Sequence, residues 1–159
     1  MKVPVGYKVV FNNLPKLPGA VKQAVGKEVR RAGLDIEGQA KLNIQQSPAS
    51  GRIYTLSNPS RKHQASAPGE PPATDLGDLV NSIAFKMVGE LTGVVEVGSD
   101  HGAVQEFGGK NMAARPYLGP AVQQVLPSFE ANIRRALSTA VNLGPGSVTR
   151  SSIVKREKN

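Results

Sequence analysis

Nine apolar residues, Leu14, Leu17, Val21, Val25, Val29, Ala32, Ile36, Ala40 and Ile44, follow one another at steps of three and four. That spacing puts them on one stripe of an α-helix. Pro18 is tolerated in the first turn, where its missing N–H would have no helical partner, and Pro48 stops the helix after Ser47. Continuous over about 28 residues, the helix spans roughly 42 Å. Gly19, Gly26 and Gly33 recur every seven residues beside the stripe, with Ala40 in phase. Glycine costs up to about 1 kcal/mol in a helix interior. Close approach of another backbone would offset that cost; the alternative is coincident spacing in a kinked helix.

The other patterns belong to a mixed fold. Val3, Val5, Tyr7, Val9 and Phe11 alternate with Lys2, Pro4, Gly6, Lys8 and Val10, the period of a half-buried strand, and Asn12-Asn13 breaks it. Residues 83–89 and 93–99 alternate around a Gly89-to-Gly93 turn and read as a hairpin, with Ala103–Phe107 as a third strand. Thr74 can cap a short helix of two to three turns in which Leu76, Leu79, Val80 and Ile83 face one way. Leu118, Val122, Val125, Phe129, Ile133, Leu137 and Val141 restore helical spacing, with Pro120 in the first turn and Pro127 placed to kink or split the helix. The expected class is α+β: a small antiparallel sheet of three to four strands packed with two long helices. One domain covers residues 1–143 and includes a Pro-rich loop over 47–74; a flexible basic tail covers 144–159.

With 4 Phe, 3 Tyr and no Trp, the core is expected to be aliphatic, which suits helices layered on a sheet. The absence of cysteine excludes a disulfide framework, a thiol nucleophile and thiolate zinc sites. No apolar run approaches the roughly 20 residues that cross a bilayer, and the first residues lack the unbroken apolar stretch of a signal peptide. No membrane partner and a cytoplasmic site of assembly are therefore expected. The net charge of +8 favours contact with a polyanion. Eight basic and three acidic residues fall within positions 1–46, and four basic and one acidic within the last ten. A solubilising surface explains this as readily as a binding face does.

The stretch Lys62-His63-Gln64-Ala65-Ser66-Ala67-Pro68-Gly69-Glu70-Pro71-Pro72-Ala73 is polar and stiffened by three prolines. Proline removes amide donors, so the stretch reads as a semi-rigid arm outside any sheet, with an inert surface loop as the alternative. Five pieces in order then carry a resemblance: Ser50-Gly51-Arg52-Ile53-Tyr54, this loop, Asp75-Leu76-Gly77-Asp78-Leu79, Val104-Gln105-Glu106-Phe107-Gly108-Gly109, and Ala113-Ala114-Arg115-Pro116-Tyr117-Leu118-Gly119-Pro120-Ala121. Between about residues 5 and 141 the chain resembles the tail-completion, or neck, proteins of long-tailed bacteriophages and prophages. It departs from their pattern at His101-Gly102-Ala103 and in having Gly109 where they carry threonine.

The resemblance implies a virion structural protein without enzymatic activity or cofactor. Such a protein forms a six-fold homo-oligomeric ring that joins tail tube or tail terminator to the head connector or stopper, with packaged DNA in the lumen. The expected partner-contacting residues are Arg52, Tyr54, His63, Gln64, Ser66, Pro68, Gly69, Glu70, Pro71 and Pro72. Phe107 is expected to plug the core, and Glu106 to pair with Arg115.

Two other function classes compete. A basic DNA-binding module is one, although the chain shows no helix-turn-helix and few aromatics for base stacking. An enzyme using Asp100, His101 and Glu106 is the other. His63 and His101 lack metal-ligand spacing, Ser66 and Ser82 lack a nucleophile elbow, and Gly108-Gly109-Lys110 lacks the phosphate-loop frame.

Overall fold

The computed structural model describes residues 19–57 and 60–142. The strand expected over Val3–Phe11, the helical start from Leu14 to Pro18, the Asn58-Pro59 turn and the basic tail over 144–159 lie outside the described residues. Two long helices dominate: α1, Gly19–Gln45, and α4, Leu118–Asn142. Asn43, near the end of α1, donates to the Tyr117 carbonyl just before α4, at 2.9 Å. At the other end of α1, Ala20 and Ala24 share a cleft with Asn132 and Thr139 of α4. The helices therefore run antiparallel.

The stripe read from the sequence is the buried face of α1, where Val21, Val25, Val29, Ala32, Ile36, Ala40 and Ile44 pack against Leu118, Ala121, Val125 and Phe129 of α4. Pro127 sits inside α4, which runs through it without splitting.

Strands β3, Ile83–Gly89, and β4, Thr92–Val97, form the expected antiparallel hairpin, with Ile83 opposite Val97 and Phe85 opposite Val95. It lies along α1, and the helix glycines make that possible. A Cβ on Gly33 would stand 2.0 Å from the Phe85 ring, and one on Gly26 would stand 2.8 Å from the Glu90 carbonyl oxygen. Both glycines are thus sites of close approach, as their spacing suggested; a Cβ on Gly19 would meet nothing. Glu37 fastens the layers, accepting the Phe85 amide at 2.7 Å and Lys41 Nζ at 2.6 Å. Those contacts, Lys41 foremost and the Phe85 amide with it, hold its carboxyl below the usual value against an opposing cost of burial.

Three expectations are corrected. Residues 102–107 are not a third strand: they form a short helix, α3, Gly102–Phe107, whose inner face carries Gly102 and Glu106. The helix after Thr74 is a single turn, α2, Asp78–Asn81, preceded by Gly77 at φ 87° with no side-chain cap, and Leu76 is 69% exposed. The segment 47–74 is not one loop, because β1, Ile53–Ser57, and β2, Ser60–Gln64, pair within it as a second antiparallel hairpin. The class is α+β, and the described residues hold two sheets of two strands each in place of one sheet of three to four.

Candidate assembly interface

The β1–β2 hairpin follows from a run rich in β-branched and aromatic residues, Ile53-Tyr54-Thr55-Leu56, which pairs with Ser60–Gln64. Within the Lys62–Ala73 stretch the prolines begin at Pro68. They therefore leave the donors of Lys62, His63 and Gln64 free for the ladder, contrary to the expectation that this stretch stays out of a sheet. Register divides the side chains between two faces. Ile53, Thr55, Ser57, Ser60, Lys62 and Gln64 share one, and every one of them is exposed. Tyr54, Leu56, Arg61 and His63 share the other. Ile53 is 58% exposed and Tyr54 46%, and the Arg52 guanidinium lies 5.4 Å from the Tyr54 ring centroid.

One end of the hairpin is braced on Asp75. The Arg61 guanidinium grips both carboxylate oxygens, with Nη2 to Oδ2 at 2.8 Å, and His63 Nδ1 stands 3.4 Å from Oδ1. Arg61 first, and His63 after it, hold the Asp75 carboxyl below its usual value. Beside this brace lies a cleft of about 310 Å³ whose lining includes His63, Asp75, Asp78, His101 and Gln105.

The Pro-rich stretch does not reach outward; it is folded onto its own subunit. Glu70 accepts the Ser50 hydroxyl at 2.5 Å, the Ser50 amide at 3.2 Å and the Ala67 amide at 2.8 Å. These bonds, the Ser50 hydroxyl chief among them, hold the Glu70 carboxyl below its usual value. Ser47 Oγ donates to the Pro71 carbonyl at 2.6 Å, and the Gly69 amide donates to Ala114 O at 3.0 Å. Ser66 and Pro72 are buried, while Pro68 and Gly69 remain exposed. Of the ten expected contact residues, Arg52, Tyr54, His63 and Gln64 belong to the hairpin or its start; the others form the knot that holds its base.

The expected core plug and ion pair are replaced by a different arrangement. Phe107 is 66% exposed, on the outer face of α3 beside Val104. Glu106 turns inward and does not pair with Arg115. Its Oε2 accepts the amides of Tyr117 at 2.8 Å and Leu118 at 2.9 Å, and its Oε1 accepts that of Gly119 at 2.8 Å. A carboxylate there also complements the positive end of the helix dipole. Arg115 instead donates through Nη2 to the Ser66 carbonyl at 3.0 Å, tying the knot to the start of α4. Tyr117, fully buried, donates its hydroxyl to Gly102 O at 3.3 Å; burial above all, then the Glu106 charge, raises its pKa.

Asp100 and His101 are exposed ahead of α3 while Glu106 points into the α4 terminus, so the three do not converge. Among the described residues no group of three His, Cys, Asp or Glu is placed to hold a metal ion. No helix there is long and apolar enough to cross a membrane. A scan against protein-family models finds no match, and comparison with curated proteins and with solved structures finds none either.

Proposed function

We propose that this chain is a structural assembly subunit of a phage-type neck, acting as the tail-completion proteins it resembles act. In this reading copies dock side by side into a six-membered ring between tail tube and head connector, with DNA passing through the lumen. The particle is put together in the host cytoplasm, and the protein works in the finished virion without cofactor or catalysis.

One observation carries the reading: a braced hairpin that presents a whole face to solvent. An isolated two-stranded hairpin is marginal in water and needs further strands or a packed face. Here Ile53 and Tyr54 are exposed, and the hairpin is already held by Arg61–Asp75 near its turn end and by the Glu70 knot at its base. A neighbouring molecule supplies the missing partner. Contacts of the head-to-tail kind, hairpin of one copy on a different surface of the next, close into a ring when the rotation permits.

Charge placement supports assembly over a free DNA-binding module. Seven of the twenty Lys and Arg, but only one of the twelve acidic residues, lie outside the described residues, so the described residues are close to charge balance. A true DNA binder would lose affinity steeply between about 50 and 200 mM salt.

The test is joining in vitro. Purified chain is mixed with tail tubes and connector-bearing heads, and joined particles are counted by electron microscopy. The double variant Ile53→Asp, Tyr54→Ala is expected to keep its circular dichroism spectrum and to lose joining; joining at the original level would overturn the proposal.

A further inference from the structure

The cleft of about 310 Å³ beside the Arg61–Asp75 brace is bordered by the end of α1, by α2 and by α3, and its lining leaves three groups unused. Leu76 is 69% exposed, the most of any large apolar side chain among the described residues. The Asp78 carboxylate has neither an ion pair nor a hydrogen bond among the described residues, whereas Asp75 is engaged by Arg61 and His63. Gln105 Oε1 is buried and has no hydrogen-bond partner. No lysine or arginine lines the cleft among the described residues. An unpaired carboxylate and an unpaired acceptor suit a cation and repel a nucleic-acid phosphate.

The outward face of the β1–β2 hairpin carries the complementary groups. Lys62 is the only charged residue among the six on that face, and Ile53 is 58% exposed. Ile53 lies opposite Gln64 and Thr55 opposite Lys62, so Ile53 and Lys62 are diagonal neighbours, about 7–8 Å apart. Leu76 and Asp78 stand two positions apart along the chain, at most roughly 7 Å between Cα atoms. An apolar group and a cation on one surface thus match an apolar group and a carboxylate on the other, at the same separation.

The two surfaces also point in opposite directions. His63 lines the cleft, and successive side chains of a strand project to opposite faces, so Lys62 points away from it. A copy therefore cannot seat Lys62 in its own cleft, but it can offer Lys62 to one neighbour while receiving that of another. That is the head-to-tail arrangement a ring requires. We propose that Lys62 of one copy enters the Asp78 cleft of the next, with Ile53 resting on Leu76. The lysine stem lies along the apolar lining while its ammonium reaches the carboxylate. The inference rests on the hairpin being the assembly surface and names the surface it meets.

The chain has no native cysteine, so an engineered pair reports the contact. Chain carrying Lys62→Cys is mixed with chain carrying Asp78→Cys in the presence of tail tubes and oxidised. Disulfides are expected between unlike chains and not between two Lys62→Cys chains. Charge reversal adds a second measurement. Lys62→Asp and Asp78→Lys are each expected to raise the concentration needed for half-assembly at least about tenfold, and the two changes combined in one chain to restore it. If the unaltered chain assembles but unlike chains do not cross-link, or the combined variant is no better than the single ones, this contact is overturned and the hairpin reading stands. Loss of assembly on Asp78→Lys without loss on Lys62→Asp overturns it as well, because the cation then comes from elsewhere. An unaltered chain that never assembles overturns the hairpin reading and this contact together.

Discussion

At the scale of single residues, Glu106 shows how one side chain settles where two helices meet. Pro120 brings no N–H to the first turn of α4, and the amides of Tyr117, Leu118 and Gly119 all end on its carboxylate. Removing a buried acceptor leaves donors without partners, at about 1–3 kcal/mol per group. Glu106→Ala is therefore expected to lower unfolding free energy by about 2–4 kcal/mol in urea melts, with Glu106→Gln falling between it and the original. The sequence carried a faint sign of this cap, since Arg115-Pro116-Tyr117 offers no Ser, Thr, Asp or Asn before Leu118. It could not reveal the donor of the carboxylate, because linear spacing says nothing of α3 aiming at α4. The glycines were legible, because a residue that weakens a helix at regular intervals demands a neighbour. Gly33→Ala drives a methyl into the Phe85 ring and is expected to cost about 1–3 kcal/mol. Gly38→Ala meets nothing within 4 Å, and that change is expected to gain about 0.5–1 kcal/mol. Thermal melts of the pair separate close packing from helix propensity.

Among the elements, the long helices and the β3–β4 hairpin follow the sequence patterns, whereas the short segments after Thr74 and at Ala103–Phe107 do not. A stripe sustained over α1 leaves no rival period, whereas Ala103–Phe107 is too short for spacing to distinguish strand from helix. The β1–β2 hairpin was legible in principle, as a β-forming run facing a second run across Asn58-Pro59, but the prolines downstream drew the whole region into a loop reading. Those prolines instead belong to the knot, whose chemistry depends on pH. Glu70 is held below its usual pKa by Ser50 and Ala67. A carboxyl depressed on folding contributes stability above its unfolded value, near pH 4, and that contribution is lost as pH falls through the lower folded value. Hydrogen exchange at the Ser50 and Ala67 amides is accordingly expected to accelerate, relative to the intrinsic rate, as pH drops below about 4. In Glu70→Gln the exchange should be faster already at neutral pH and lose that acid dependence. A Glu70→Gln chain that keeps the original profile would contradict the knot.

At the scale of the whole molecule, two antiparallel helices and the β3–β4 hairpin share one buried core, and among the described residues the β1–β2 hairpin is an element that leaves one face exposed along its whole length. The core explains stability; the hairpin explains why the molecule would seek company. The central claim is that the hairpin's partner is another molecule. Native mass spectrometry of the full chain, alone and mixed with tail tubes, tests it most directly. Six copies per assembly are predicted for the unaltered chain, and single copies for Ile53→Asp, Tyr54→Ala. Single copies of the unaltered chain under both conditions, or six copies of the variant, would contradict the account.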